Sequence, residues 1–441
     1  MKRIFIYVLV FFSVPTIVGL VPAYRAVSGF LSVKNPDPIT STLPQFKPPI
    51  NPKNPYVAVL VSNQGTEVTD LLTSYAILSA SRAFNVFTVA PEKVVSPVTG
   101  GLEILPHYSF GELEGKFRKG VELIVVPAIL DHENPTLVEW LNENGEPPTN
   151  VLSICEGART VAAAGLLKGK KATSHFFALD GLEKDYPETE WQKNVRFVRD
   201  GNILSSAGVT AAMDATFQIV KDLAGERVAE ETANKLGFFV GSSSAQSPTM
   251  GVWDVSLLFF NAGYKWNPSD IGVVLFPGVE EIHLAAMLDI YPRTLAAKTI
   301  TVSSNRTTIP SKYRLNLDPQ TALKTMDRPD RVLVPNGKME KIRNDSDLQN
   351  WAKEQNLEIE AFQPVPPSES YVQIFLDLAI KQNLSVSRVV SKMIEFPLNK
   401  LQMENQPGVN RWPFWLLLRP VLLGLVAVFL VRWLIYRKKN P

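Results

Sequence analysis

Cysteine and histidine are scarce in this chain. Its 441 residues include one cysteine, Cys155, and four histidines. A lone thiol excludes an intramolecular disulfide and any cysteine-cluster metal site. His107, His132, His175 and His283 form no HxxxH-type pair, so no zinc site is expected and no cofactor is implied. Charge of one sign is missing too. The formal net charge is +2, and no lysine- or arginine-rich block offers a track for nucleic acid. The basic residues that do gather lie at the two ends, where the neighbouring sequence gives them another meaning.

Both ends hold long apolar runs. Residues 4–24, IFIYVLVFFSVPTIVGLVPAY, carry no charge and follow Lys2 and Arg3. The run is long enough to cross a bilayer. Residues 1–30 therefore read as a transmembrane anchor or as a signal peptide, with Ala23 and Ala26 offering a weak cleavage site. Residues 412–436 form a second such run, interrupted early by Arg419 and followed by the basic tail 437–441 with Arg437, Lys438 and Lys439. Trp412, Trp415, Trp433 and Tyr436 suit membrane interfaces. The positive-inside rule then expects cytoplasmic termini, unless the first run is cleaved, and an extracytoplasmic body.

With 45% apolar residues, the chain is long enough for two or three domains. The proline-rich stretch 31–55 reads as an extended spacer that holds the body off the membrane. Residues 56–237 read as one α/β unit. VAVLV (57–61), NVFTVAP (85–91) and VELIVVPA (121–128) are buried strands, Pro135–Asn144 is a helix stopped by Gly145, and 195–208 is a hairpin around Asp200 and Gly201. A linker is expected at 238–269. DIGVVLFPGVEEIHLAAMLDIYPR (270–293) then parallels the start of the first unit, and RVLVPNG (331–337) parallels LIVVPA. Residues 270–398 thus read as an internal repeat, with 399–411 as a last linker.

Residues 151–167, VLSICEGARTVAAAGLL, run from an apolar strand through a tight turn into an alanine-rich helix, with Cys155 at the turn. Gly157 and Ala158 are small enough for strand and helix to approach closely. Such an elbow aims the side chain at the positive end of a helix, where a thiol is expected to lose its proton more easily.

SICEGARTVAAAGLLKGKKATSHF, then YPE, then RDGNILSSAGVTAAMDA and KDLAGERVAE occur in that order. Across 57–236 the chain resembles the ThiJ/PfpI superfamily, the DJ-one-like branch of the class I glutamine-amidotransferase fold. It is similar above all to the amidase-like sensor domain of AraC-type regulators and to isonitrile-hydratase-like members. The resemblance, with the repeat, implies an α/β fold: tandem flavodoxin-like three-layer α/β/α domains with parallel sheets, flanked by N- and C-terminal transmembrane helices.

The resemblance also implies a site. Cys155 matches the nucleophile, His175 the histidine after the elbow helix, and Asp70 the acid opening the first helix, with Asp70 preferred over Glu67 by alignment through Gly65. The backbone N–H groups of Glu156 and Ile129 stand where relatives build an oxyanion hole. Two departures bear on acyl transfer. Ile129 replaces a glycine, and the carboxylate of Glu156 beside the nucleophile is expected to raise the thiol pKa unless it points to solvent. The second copy has His283 in place of Asp70, Glu280 in place of Glu67, and no elbow. No helix-turn-helix tail follows the first unit, so direct transcriptional control is not expected.

Two functions follow from these residues. One is a membrane-anchored, cysteine-dependent hydrolase or hydratase acting on a small molecule. The other is a non-catalytic ligand-sensing or protein-interaction module that keeps the pocket without turnover. The expected partners are a small-molecule ligand or substrate, the membrane, and a second unit as an internal pseudo-dimer or homodimer.

Overall fold

The computed structural model describes residues 2–30, 32–36, 44–116, 120–208, 210–238, 250–335, 342–398, 403, 406–410 and 414–438. Parts of the expected linkers (37–43, 239–249, 399–402) and the end of the basic tail (439–441) lie outside them. Among the described residues the first unit contains eleven strands: β1 (Tyr56–Leu60), β2 (Asn85–Ala90), β3 (Ser96–Val98), β4 (Leu102–Ile104), β5 (Tyr108–Ser109), β6 (Leu123–Val126), β7 (Asn150–Ile154), β8 (Lys171–Ala172), β9 (Glu190–Trp191), β10 (Phe197–Asp200) and β11 (Ile203–Ser206). Seven of them form one sheet in the order β10-β11-β7-β6-β1-β2-β5. All its pairings are parallel except β10 with β11, the hairpin read around Gly201.

Both faces of this sheet are covered. Val57, Val59, Val125, Leu152 and Ile154 point into one core, while Ala58, Leu60, Ile124, Val126 and Val151 point into the other. This is the two-residue alternation of a strand, with apolar residues on both faces because helices lie on each. The connecting helices are α1 (Lys2–Phe30), α2 (Val68–Ser81), α3 (Phe110–Lys116), α4 (Pro135–Asn144), α5 (Gly157–Ala163), α6 (Phe176–Asp185), α7 (Ala211–Ala224) and α8 (Glu226–Leu236). The sequence sets the ends of α4: the Asn134 side chain accepts from the Thr136 and Leu137 N–H groups, Pro135 opens the first turn, and Gly145 closes the last.

The second unit adds α9 (Val252–Tyr264), α10 (Glu281–Ile290), α11 (Ser346–Glu354), α12 (Ser370–Lys381) and α13 (Leu384–Met393), and α14 (Phe414–Arg437) closes the chain. Its strands are β12 (Ser269–Val274), β13 (Ala297–Ser303), β14 (Ile309–Pro310), β15 (Asn316–Pro319), β16 (Thr321–Ala322), β17 (Arg331–Val334) and β18 (Ile359–Ala361). Five form a parallel sheet, β16-β13-β12-β17-β18. That order corresponds to β5-β2-β1-β6-β7 of the first unit.

The units are joined along like elements. β4 pairs antiparallel with β15, making one four-stranded sheet, β14-β15-β4-β3, from a hairpin of each. The Gly100–Gly101 turn, with φ of 76° and 77°, presses on the other unit so closely that a Cβ at Gly101 would stand 2.2 Å from the Thr299 carbonyl. Thr299 and Thr301 donate from their hydroxyls to the Gly100 and Gly101 carbonyls at 2.7 and 2.6 Å. One core runs through both units.

Two expectations about linkers change. Residues 44–55 do not hold the body at a distance: Phe46 N–H donates to Asn316 Oδ1 at 2.7 Å and Asn51 N–H to Asn85 Oδ1 at 2.8 Å, which ties the stretch to both units. Within 238–269 stands α9, which packs on α1 and α14. A Cβ on Gly263 would meet the Gly19 carbonyl at 2.8 Å, and the Tyr264 hydroxyl donates to the Pro15 carbonyl at 2.8 Å. α1 and α14 are long and apolar enough to cross a membrane. They run antiparallel: Phe11 lies against Gly424, while Pro15 and Gly19 meet Tyr264, whose carbonyl accepts from Arg419.

Candidate functional site

The C-terminal ends of β1, β6 and β7 meet where the chain reverses its direction across the sheet, the place where open α/β sheets bind ligands. Cys155 follows β7 with φ of 56°, a left-handed conformation costing a non-glycine residue about 1–2 kcal/mol. Its N–H is shared between the Ser206 and Ala207 carbonyls at 3.2 and 3.1 Å, and its carbonyl accepts from Ser174 Oγ at 2.7 Å. Glycine is required two residues on, since a Cβ at Gly157 would stand 2.1 Å from the Val126 carbonyl. Strand and helix approach as the small residues predict.

Acids converge from two directions. Glu67 caps α2, its Oε2 accepting from the Asp70 N–H at 2.7 Å, and Asp70 Oδ2 accepts from the Ala128 N–H at 3.0 Å. From the second unit comes Arg293. Its Nη2 donates to Glu67 Oε1 at 3.2 Å and its Nε to Asp289 Oδ1 at 2.5 Å. The cluster therefore holds three carboxyl groups, Glu67, Asp70 and Asp289, against one guanidinium.

Burial dominates their protonation. It raises Asp70 from 3.8 to about 7, against the pull of the Ala128 N–H and Arg293. It raises Glu67 well above its ordinary value, with the charges of Asp289 and Asp70 acting the same way. Burial likewise pushes the Cys155 thiol well up, and Asp70, Glu156 and Glu67 add to the push while Arg293 opposes it. The expectation of an easily ionised thiol is thus corrected. Desolvation and three acids outweigh the partial charge at the start of α5, a helix of seven residues.

His175 caps α6. Its Nδ1 accepts from the Phe177 N–H at 3.4 Å, and its Nε2–H donates to the Met393 carbonyl of the second unit at 2.8 Å. Both ring nitrogens are engaged, and burial lowers its pKa. The side chain lines the cavity with Cys155 but is held by other partners. Glu156 turns partly to solvent and pairs with Arg159 Nε at 2.9 Å. Thr66 and Ile129 form an antiparallel bridge through Glu67 N–H to Ala128 O and Leu130 N–H to Gly65 O, which does not use the Ile129 N–H. In the second unit Glu280 caps α10 as Glu67 caps α2, accepting from the His283 N–H at 3.0 Å.

A cavity of about 880 Å³ opens over Cys155. Glu67, Asp289, Arg293 and His132 line it. Asp70 is fully buried and is not among the lining residues. Ala26, Gly29 and Phe30 at the end of α1 form one wall. Sequence reasoning missed Arg293, Asp289, His132 and this wall. The one signal for Arg293 is its place at the end of the stretch that parallels the first helix.

A strained cysteine at a strand–helix elbow, beside buried carboxyl groups at the C-terminal end of a parallel sheet, defines an α/β domain of the cysteine-elbow class. Residues 56–222 match the DJ-1/PfpI family, and the chain carries a domain of that family. Over 129 residues it is 32% identical to the HTH-type transcriptional regulator CdhR of Pseudomonas aeruginosa, a match covering 29% of this chain and 38% of the regulator. Over 167 residues it is 27% identical to the isonitrile hydratase of Pseudomonas putida, covering 36% of this chain and 69% of that enzyme. Among solved structures, a ThiJ/PfpI family protein from Pseudomonas syringae aligns with a TM-score of 0.39 at 24% identity, over 48% of this chain and 88% of that one.

Proposed function

We propose that the chain is a membrane-anchored, cysteine-dependent hydratase or hydrolase of a small molecule. The observation that carries this reading is the backbone of Cys155, held left-handed at the floor of a cavity beside buried Asp70 and Glu67. Strain of this kind persists where surrounding structure enforces it, and it clusters at functional sites. In the proposed reaction the sulfur attacks an electrophilic carbon and its proton passes to the Asp70 carboxylate, which shares its charge with Glu67 as one titrating pair. Asp70 then returns the proton to the substrate heteroatom, while the N–H groups of Glu156 and Ile129 hold the transient charge. His175 orients the second unit through Met393 and takes no proton. Water releases the adduct.

α1 and α14 are the proposed anchor, with both ends on the cytoplasmic side and the body outside. The shared strand order and the matched Glu67 and Glu280 caps support reading the second unit as a degenerate copy that packs on the first as an internal pseudo-dimer partner. The test is turnover of an isonitrile and amide panel by the full chain. Loss of turnover in Cys155→Ser and Asp70→Asn, with substrate binding retained, is the expected result; no turnover by the parent protein sinks the enzyme reading. One observation favours the alternative of a ligand-sensing module: a thiol whose protonated form is stabilised by burial. That module would bind ligand equally well with Cys155→Ser.

A further inference from the structure

The wall formed by α1 carries information about what enters the cavity. We infer that the Cys155 cavity receives a single-chain amphiphile from the adjoining membrane leaflet, its polar head at Cys155 and Arg293 and its chain along the end of α1. This rests on the proposed anchoring and deepens the proposed function by naming a substrate class.

Four observations converge. First, α1 passes without a break from its apolar run to the cavity. Phe30 lies six residues beyond Tyr24, about 9 Å at helical rise, which brings the wall to headgroup level if residues 4–24 span the bilayer. Second, the same helix exposes Ile17, Leu20, Val21, Tyr24 and Val27, so an apolar surface continues from membrane to wall. Third, the rim carries apolar side chains beside the exposed Lys34 and Lys298: Phe177 and Leu130 line the cavity and are 56% and 42% exposed. A pocket for a polar metabolite in water does not need such a rim. Fourth, Arg293, Glu67 and Asp289 line the cavity with Cys155, and Lys34, Glu156, Arg159 and Lys298 add further charge, while Val33, Val98, Ile129, Leu288, Leu295 and Ile300 make up much of the wall. The volume is ample for a ligand of this kind, since small-molecule pockets run about 300–1,000 Å³.

The single cysteine makes the test specific. Full-length protein in lipid nanodiscs is treated with N-ethylmaleimide or N-dodecylmaleimide, and labelling of Cys155 is followed by mass spectrometry. The inference expects the dodecyl reagent to label at least about tenfold faster, the gain that burial of two methylenes supplies. It also expects dodecanamide to slow labelling by either reagent. Gly29→Phe is the second arm: Gly29 lines the cavity and no heavy atom lies within 4 Å of a Cβ built there, so a ring is added at the cavity wall with no clash at its Cβ. That variant should lose the chain-length preference. Equal rates for the two reagents, or a preference that survives Gly29→Phe, overturns the inference. Carbonate extraction of native vesicles reads the anchoring separately. Release into the soluble fraction defeats the membrane reading even where the chain-length preference stands, and retention with equal rates defeats only the amphiphile.

Discussion

Arg293 reaches Glu67 across the join between the two units, its Nη2 3.2 Å from Glu67 Oε1, while its Nε holds Asp289 on the helix it follows. The cation of the first unit's site is thus supplied by the second. Replacing Arg293 with Met leaves buried acids without their counter-charge, and breaking such a pair costs about 3 kcal/mol. Urea unfolding should show this loss, and the loss should shrink as pH falls and Glu67 takes up a proton. An unchanged midpoint at neutral pH would show that the guanidinium is solvated and not needed for packing.

Stability should fall as pH rises through the range in which Asp70 ionises. The unfolded chain gives up this proton near 3.8, and the folded chain near about 7. Between those values the folded state holds more protons, so raising the pH favours unfolding, and the loss levels off above about 7. Asp70→Asn should flatten this part of the curve. The check is a series of denaturation midpoints across the window for both proteins.

The strain at Cys155 is measurable by comparing two truncations. Cys155→Ala keeps a side chain at a φ of 56°, and Cys155→Gly removes it. Glycine should be the more stable by about 0.5–1 kcal/mol, the left-handed cost less the extra freedom of unfolded glycine. The reverse order in thermal unfolding would mean that the elbow relaxes.

Alkylation of Cys155 by N-ethylmaleimide should be slow at neutral pH, with an apparent pKa above the ordinary ~8.5. Asp70→Asn removes the largest opposing charge and should speed labelling. Arg293→Met should slow it. A midpoint well below the ordinary value would contradict the assignment of three acids around the thiol.

Local features were legible in the sequence. The elbow rests on neighbouring residues, Ile154, Cys155 and Gly157, and α4 on Asn134, Pro135 and Gly145. Features resting on distant partners were not. Arg293 meets Glu67 from 226 residues away, and the occupancy of His175 Nε2 depends on a carbonyl 218 residues away. α9 was hidden for a different reason. Its sequence VWDVSLLFFNAGY has no clean polar face, because it packs on the apolar α1 and α14 as well as on α13, and not on a sheet. The described part of the proline-rich stretch is fixed by Asn85 and Asn316, side chains that no local pattern could pair with it.

The β4–β15 pairing has a consequence for how the site survives dilution. A pocket shared between separate subunits empties when copies are sparse, because each half waits for an encounter. Here the half that brings Arg293 is tethered to the half that brings Cys155, so its effective concentration is fixed by the chain and not by expression level. A single chain therefore carries both Cys155 and Arg293. The C-terminal half holds no cysteine, and it brings one arginine to the site.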